Sequence, residues 1–301
     1  MKKASLKTLV EDVKISFSFA SKNVISFFLA MLGVLLVTAI ILVLMILFVV
    51  IPLFFTIGLE AMINFFTQLV EPFPPADAAA LLALVLFIVL PILAPIFVAF
   101  GALFGMAREI VESEGTTAEG VFVWYQKKFF SLAAGGIILF LVVIGPLAVA
   151  ALWIYVYIPF PYGMPTHVEI SLAFAAVMWL FVSSGMLSMI FPGIIDGHSA
   201  LGAARRSVGL SWRYFDRVFS TWFAFLGIIV LPWMPLILSV FSPSYNIELV
   251  AWYVLPLALF TIFLAIPAMA IGVSRVYLIL TGEEMPDTDS QEPDLNFVGG
   301  I

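Results

Sequence analysis

Two short runs place an imidazole beside a carboxylate: Asp196-Gly-His198 and His167-Val-Glu169. Such a pair can pass a proton, with the carboxylate orienting the ring, or supply two ligands of a metal site. Neither pair has a third ligand at a recognisable spacing, and both fall in turns. The chain has no cysteine, which excludes thiolate metal sites, disulfide frameworks and cysteine nucleophiles. A phosphate-binding glycine loop, a nucleophile elbow and a zincin helix are also missing. The two pairs therefore read as structural turn residues. No catalytic, cofactor-binding or metal-binding residue is expected, and the protein reads as non-enzymatic.

The densest constellation is basic: Arg205, Arg206, Arg213 and Arg217, with Trp212 among them. At helical spacing Ala204, Val208, Trp212, Phe215 and Phe219 share one face, and the arginines lie mostly off it. An amphipathic helix of this kind suits a surface of anionic headgroups. Arg205, Arg206, Arg213, Arg217 and Trp212 are thus the candidate lipid- or partner-binding residues. Topology fixing is the simpler role for the arginines, and docking of a cytoplasmic protein the sharper one.

These residues sit in an unusually apolar chain. Of 301 residues 63% are hydrophobic and 11% charged, whereas soluble domains carry about 25% charge. Charge-free tracts cover 23–59, 78–107, 129–168, 170–195, 218–247 and 249–274. Each exceeds the roughly 20 residues that cross a ~30 Å hydrocarbon core as a helix. A membrane barrel would alternate polar and apolar residues, but Val34–Val50 is apolar on all sides. The expected fold is an all-α membrane protein with six transmembrane helices, near 24–56, 79–104, 132–158, 169–194, 219–241 and 250–274.

Orientation follows from the 13 lysines and arginines. Lys2, Lys3, Lys7, Lys14 and Lys22 precede the first span; Arg108, Lys127 and Lys128 lie between the second and third. Arg205, Arg206, Arg213 and Arg217 lie between the fourth and fifth, and Arg275 closes the sixth. The connections near 57–78, 159–168 and 242–249 carry none. Basic residues beside membrane ends stay on the cytoplasmic side. Both termini are therefore expected in the cytoplasm of a cell-membrane protein, with the N-terminal stretch an uncleaved signal anchor.

The two long cytoplasmic connections match each other. Glu114-Gly-Thr-Thr-Ala-Glu-Gly-Val121 aligns with Asp196-Gly-His-Ser-Ala-Leu-Gly-Ala203, and Lys128-Phe-Phe-Ser131 with Arg217-Val-Phe-Ser220. Each reads as a glycine stop, a hydroxyl N-cap and a short interfacial helix. Thr116 and Glu119 fit a capping box, and Ser199 is a cap without the acid. The N-terminus resembles a degenerate third copy, with Leu6, Val10, Val13 and Phe17 in a stripe, and Thr281-Gly282 resembles the stops. The expected organisation is three helical-hairpin repeats, about 1–113, 114–195 and 196–280, each preceded by a cytoplasmic amphipathic helix. Together they make a single membrane domain over 1–280. Residues 281–301 hold six acids and no base and read as a disordered cytoplasmic tail.

The run Pro192-Gly-Ile-Ile-Asp-Gly-His-Ser-Ala-Leu-Gly-Ala-Ala-Arg-Arg-Ser207 resembles archaeal and bacterial six-helix membrane proteins of unknown function. These are related to the membrane domain attached to some glycerophosphodiester phosphodiesterases. Gly105-Met-Ala-Arg-Glu-Ile-Val111 and Glu114-Gly-Thr-Thr117 are similar to the archaeal branch. The resemblance implies architecture and location. It does not imply phosphodiesterase chemistry, whose catalytic domain is soluble and has no counterpart here.

The deep parts of the spans hold no Asp, Glu, Lys, Arg or His, which argues against an ion-coupled carrier. Pro52, Pro91, Pro95, Pro146, Pro232, Pro235, Pro256 and Pro267 interrupt the spans. They read as kinks of an ordinary bundle, with discontinuous helices around a midplane site as the alternative. Gly101-Ala-Leu-Phe-Gly105 and Ala268-Met-Ala-Ile-Gly272 read as intramolecular packing, and Ser183, Ser184 and Ser188 as interhelical glue. The expected function is organisation of lipid or protein partners at the cytoplasmic face. The alternative is a transporter or permease subunit for a neutral or lipid-like solute. Membrane lipids and a cytoplasmic or membrane protein are the expected partners; nucleic acid and cofactors are not.

Overall fold

The computed structural model describes residues 5–58, 60, 63–64, 75–113, 116–157, 165–241 and 247–282. It is all-α over these residues. In chain order the helices are α1 (Leu6–Lys22), α2 (Val24–Met45), α3 (Ile51–Ile57), α4 (Pro75–Ser113), α5 (Ala118–Lys127), α6 (Phe129–Val143) and α7 (Gly145–Tyr157). There follow α8 (Thr166–Met186), α9 (Ile190–Ile195), α10 (Ala200–Arg213), α11 (Phe215–Val230), α12 (Met234–Phe241), α13 (Ile247–Phe260) and α14 (Ile266–Thr281). Six stretches are long and apolar enough to cross a membrane: Val24–Phe48, Val89–Ser113, Phe129–Ile154, Thr166–Ile195, Phe215–Ile237 and Trp252–Thr281. This is the build of a multi-pass membrane protein. The acidic tail from 283 and most of the base-free connections lie outside the described residues.

The interruptions of the spans have chemical causes. A wide π turn, Ile46–Val50, joins α2 to α3 just before Pro52, and a second, Thr261–Ala265, leads into α14 just before Pro267. Pro232 lies in a tight three-residue turn between α11 and α12, since proline lacks the N–H that would continue the ladder. Side chains meet the carbonyls near such breaks. The Trp179 indole donates to the Val143 carbonyl (3.1 Å), and the Tyr253 hydroxyl donates to that of Pro232 (2.9 Å).

The second and sixth spans run further than hydropathy suggests. α4 continues unbroken through Arg108, Glu109 and Glu112 to Ser113, and α14 continues through Arg275 to Thr281. In these two spans 44% of the most apolar stretch is buried, against 11%, 6% and 11% in the first, third and fifth. The second and sixth spans therefore form the centre with the wholly buried end of the fourth, Ile190–Ile195, and the others present apolar flanks such as Leu35, Val142, Phe174 and Phe223 outward.

Each of α2, α6 and α11 follows a short helix across one residue whose ψ has left the helical range: Asn23 (19°), Lys128 (16°) and Tyr214 (45°). Those short helices, α1, α5 and α10, lie against span ends. α5 packs on α4, α10 on α9, and α1 on α14 from the other end of the chain. Next to them, α2 touches α5, α6 touches α10 and α11 touches α1. At the centre α4, α9 and α14 touch pairwise.

Local signals explain where the short helices begin and where spans end. Gly197 (φ +101°) and Gly282 (φ +85°) take the left-handed conformation that closes a helix. The His198 N–H returns to the Gly193 carbonyl (3.1 Å). Ser199 caps α10 by accepting the Gly202 N–H (3.2 Å), as the sequence predicts. The capping box expected at Thr116 and Glu119 does not form: Thr117 occupies the N-cap without a side-chain bond, and the Thr116 hydroxyl donates to Glu109 instead (2.8 Å). A capping box is present at the start of α1, where Ser5 and Thr8 bond each other's backbone.

Close approach between helices rests on glycine. A Cβ on Gly101 would come within 3.0 Å of Leu132 and Phe191, one on Gly105 within 2.3 Å of the Trp124 ring, and one on Gly272 within 2.4 Å of Phe225. Both small-residue runs thus pack inside the chain. Ser183, Ser184 and Ser188 do not join helices. Their hydroxyls donate back to the carbonyls of Trp179, Leu180 and Gly185 on the same segment, the local bond a helical serine makes most readily.

Candidate functional site: a polar junction at the span ends

The charged residues of the described chain gather where α4, α9 and α14 meet the short helices. One cluster centres on Asp196, which the Gly197 turn sets at the end of α9. Its carboxylate accepts from the Arg108 guanidinium of α4 (2.9 Å) and from the Tyr277 hydroxyl of α14 (2.8 Å). Arg108 also donates to Glu112 one turn on (2.7 Å). His198 lies 3.6 Å from Asp196, and the Arg206 guanidinium touches the His198 ring and stands over the Tyr277 ring. Asp196 therefore ties three spans together, and its expected pairing with His198 is one edge of a structural hub.

Tyr277→Phe removes one bond to a charged acceptor, a contact worth about 1.5–3 kcal/mol. The expected outcome is a loss within that range in thermal unfolding, with the fold retained, because Arg108 still holds the carboxylate.

A second cluster is more deeply buried. The Asp12 carboxylate of α1 accepts from Arg217 of α11 at 2.8 Å, and Arg275 of α14 stands 3.8 Å away. Asp12 and Arg217 are each 4% exposed. A third cluster fixes α5. Glu109 accepts from the Trp124 indole (2.7 Å) and from Thr116, with Gly120 leaving room for its carboxylate. The buried Tyr125 phenol in α5 titrates above its usual range because burial disfavours the phenolate.

The basic constellation divides accordingly. Arg217 is 4% exposed and donates to Asp12. Arg206 is part-buried in the Asp196 hub. Arg205 and Arg213 remain exposed, Arg213 over the Tyr214 ring, and Trp212 is 76% exposed.

α10 packs by a face of small residues that the sequence reading did not single out. Ala203, Ser207 and Ser211 are buried, one turn apart. Both hydroxyls donate to the Met186 carbonyl (2.7 and 3.2 Å), and Ser207 accepts the Met189 N–H (3.2 Å). These two serines satisfy the break between α8 and α9. Sequence reading missed them; their signal is the small residue at every fourth position. Leu201, Val208, Trp212 and Phe215 face outward instead.

Between Phe104, Arg108, Pro192, Ile195, Ser274, Tyr277 and Leu278 lies a small pocket of about 10 Å³ at the meeting of the three central helices. Among the described residues no group of three or more His, Cys, Asp or Glu side chains could hold a metal ion. No family model matches the chain, nor does any curated protein or solved structure. What is shown is six helices long and apolar enough to cross a membrane, and no family is identified.

Proposed function

We propose that this protein is a non-enzymatic six-span membrane protein whose short helices lie on the cytoplasmic surface and organise anionic lipid there. The observation that carries the reading is the outward stripe of α10. Leu201, Val208 and Trp212 of α10 and Phe215 at the start of α11 are exposed, with Arg205 and Arg213 exposed beside them. In water that stripe is unfavourable, while at a headgroup boundary the apolar side chains enter the acyl layer and the guanidinium groups meet phosphate. The clustering of basic residues on one set of connections supports the cytoplasmic orientation.

Three parallel repeats are part of the same reading. The contacts of α1, α5 and α10 are one relation met three times, with α1 in the position that a short helix after α14 would take. Gly-x-x-Arg recurs at Gly105–Arg108 and Gly272–Arg275, each arginine beside an aspartate of another helix.

Arg205→Glu with Arg213→Glu is the direct test. Each basic residue near an anionic surface is worth about 1 kcal/mol, so the double reversal should lower co-purifying anionic lipid at least tenfold at unchanged protein yield. Unchanged lipid recovery would reduce the two arginines to a topology signal. The permease reading draws on the central pocket, whose volume of about 10 Å³ is far below the roughly 300–1,000 Å³ of small-molecule sites.

A further inference from the structure

We propose that the pocket between α4, α9 and α14 binds one ordered water molecule, held by the Ser274 hydroxyl and completing the Asp196 hub. The site goes beyond the lipid reading of α10 and takes from it only the side of the membrane, the cytoplasmic one, on which the pocket lies.

Ser274 is 2% exposed, and its hydroxyl oxygen is buried with no hydrogen-bond partner in the protein around it. Other buried and half-buried serines of the bundle behave differently. Ser16, Ser183, Ser184 and Ser188 donate back to a carbonyl of their own segment, while Ser207 and Ser211 donate to Met186. The back-bond is always within reach of a helical serine. Ser274 does not make it, so its hydroxyl is turned away from the carbonyls of α14. An orphan hydroxyl among apolar neighbours is unfavourable, and a partner outside the chain removes the penalty.

The space beside Ser274 fits such a partner. It lines a pocket of about 10 Å³, close to the volume of one water-sized sphere, the least that holds a water. Two more polar side chains share the lining, Arg108 of α4 and Tyr277 of α14, and both bond Asp196 of the α9 end. A water there can exchange a bond with the Ser274 hydroxyl and accept one from the Arg108 fork, which gives it the two partners that a buried water needs. The volume excludes anything larger, and the guanidinium disfavours a cation in the same space. The Arg108 side chain is 22% exposed, so the pocket is within reach of solvent at the span ends. The water ties α14 to the hub a second time, one turn before Tyr277.

Two measurements on the full chain in neutral detergent test the site. X-ray radiolysis turns interior water into hydroxyl radicals, which oxidise the side chains beside it. Phe104 lines the pocket at 2% exposure, whereas Phe27 and Phe225, both fully buried, are not part of its lining. Phe104 should be oxidised several-fold faster than either, and Ser274→Ala should lower its rate toward theirs. Thermal unfolding then separates a wet pocket from a dry one by sign. Removing a hydroxyl that holds a water costs about one hydrogen bond, whereas removing an orphan stabilises. Ser18→Ala, at an exposed position of α1, supplies the gain from helix propensity alone. Ser274→Ala should unfold about 2–4 °C below Ser18→Ala.

The proposal is overturned if Phe104 is oxidised no faster than Phe27 and Phe225, or if Ser274→Ala unfolds level with or above Ser18→Ala. Neither readout involves lipid, so the α10 reading can fail while this site stands, and the reverse.

Discussion

Asp12→Ala lowers the stability of the protein by about 3–5 kcal/mol, the range for breaking a buried ion pair from one side. The substitution removes the carboxylate between two guanidinium groups, that of Arg217, 2.8 Å away and 4% exposed, and that of Arg275. What remains is not a neutral gap but two like charges in a closed junction. The loss should fall on α1 first, because Asp12, Ser16 and Ala20 are its buried face and Asp12 is its charged tie to α11. Thermal unfolding in detergent measures the total, and proteolysis after Lys7 or Lys14 reports the release of α1.

The partner substitution separates charge burial from packing. Asp12→Leu with Arg217→Met replaces both ends by apolar groups, which is often neutral in other buried pairs. The double variant should therefore be more stable than Asp12→Ala alone, with a coupling in the range of about 0.5–3 kcal/mol. A double variant as unstable as the sum of the single ones would show that the pair is not an isolated interaction.

Gly136→Ala is the second large effect. A Cβ at Gly136 would stand 2.2 Å from the Cβ of Phe97, an atom anchored to the backbone of α4. A flexible side-chain tip could rotate away, but here one of the helices α4 and α6 must move. Overpacking of this kind costs about 1–3 kcal/mol, and the absence of any rotamer escape places this variant at the upper end. Gly145→Ala is the control, since nothing lies within 4 Å of its Cβ. It should be neutral or slightly stabilising, because alanine favours a helix over glycine. Equal effects at the two positions would contradict the close α4–α6 approach.

The sequence made the six spans legible because each is an apolar tract longer than a membrane core needs. Hydropathy stops at the first charge, near 104 in the second span and 274 in the sixth, whereas the glycine stop at Gly282 marks where α14 ends. Both continue because their charges find partners remote in the chain: Arg108 meets Asp196, and Arg275 stands near Asp12. A pairing across that distance leaves no periodic signal.

The short helices were legible as amphipathic segments, and their starts at Ser199 and the Gly197 turn came from local chemistry. The side chains by which α10 packs were not singled out: it buries Ala203, Ser207 and Ser211, small residues that allow the close approach behind the bonds to Met186. The ion pair of Arg217 was not legible either, since its partner lies 205 residues earlier.

All of these readings depend on one arrangement: six crossings with the basic span ends and both termini on the inner side. The chain has no cysteine, so single cysteines can be introduced without background. In intact cells, Ser244→Cys should react with a membrane-impermeant maleimide added outside, and Ser290→Cys should react only after permeabilisation. Labelling of Ser290→Cys from outside, or protection of Ser244→Cys in intact cells with labelling after permeabilisation, would contradict the arrangement.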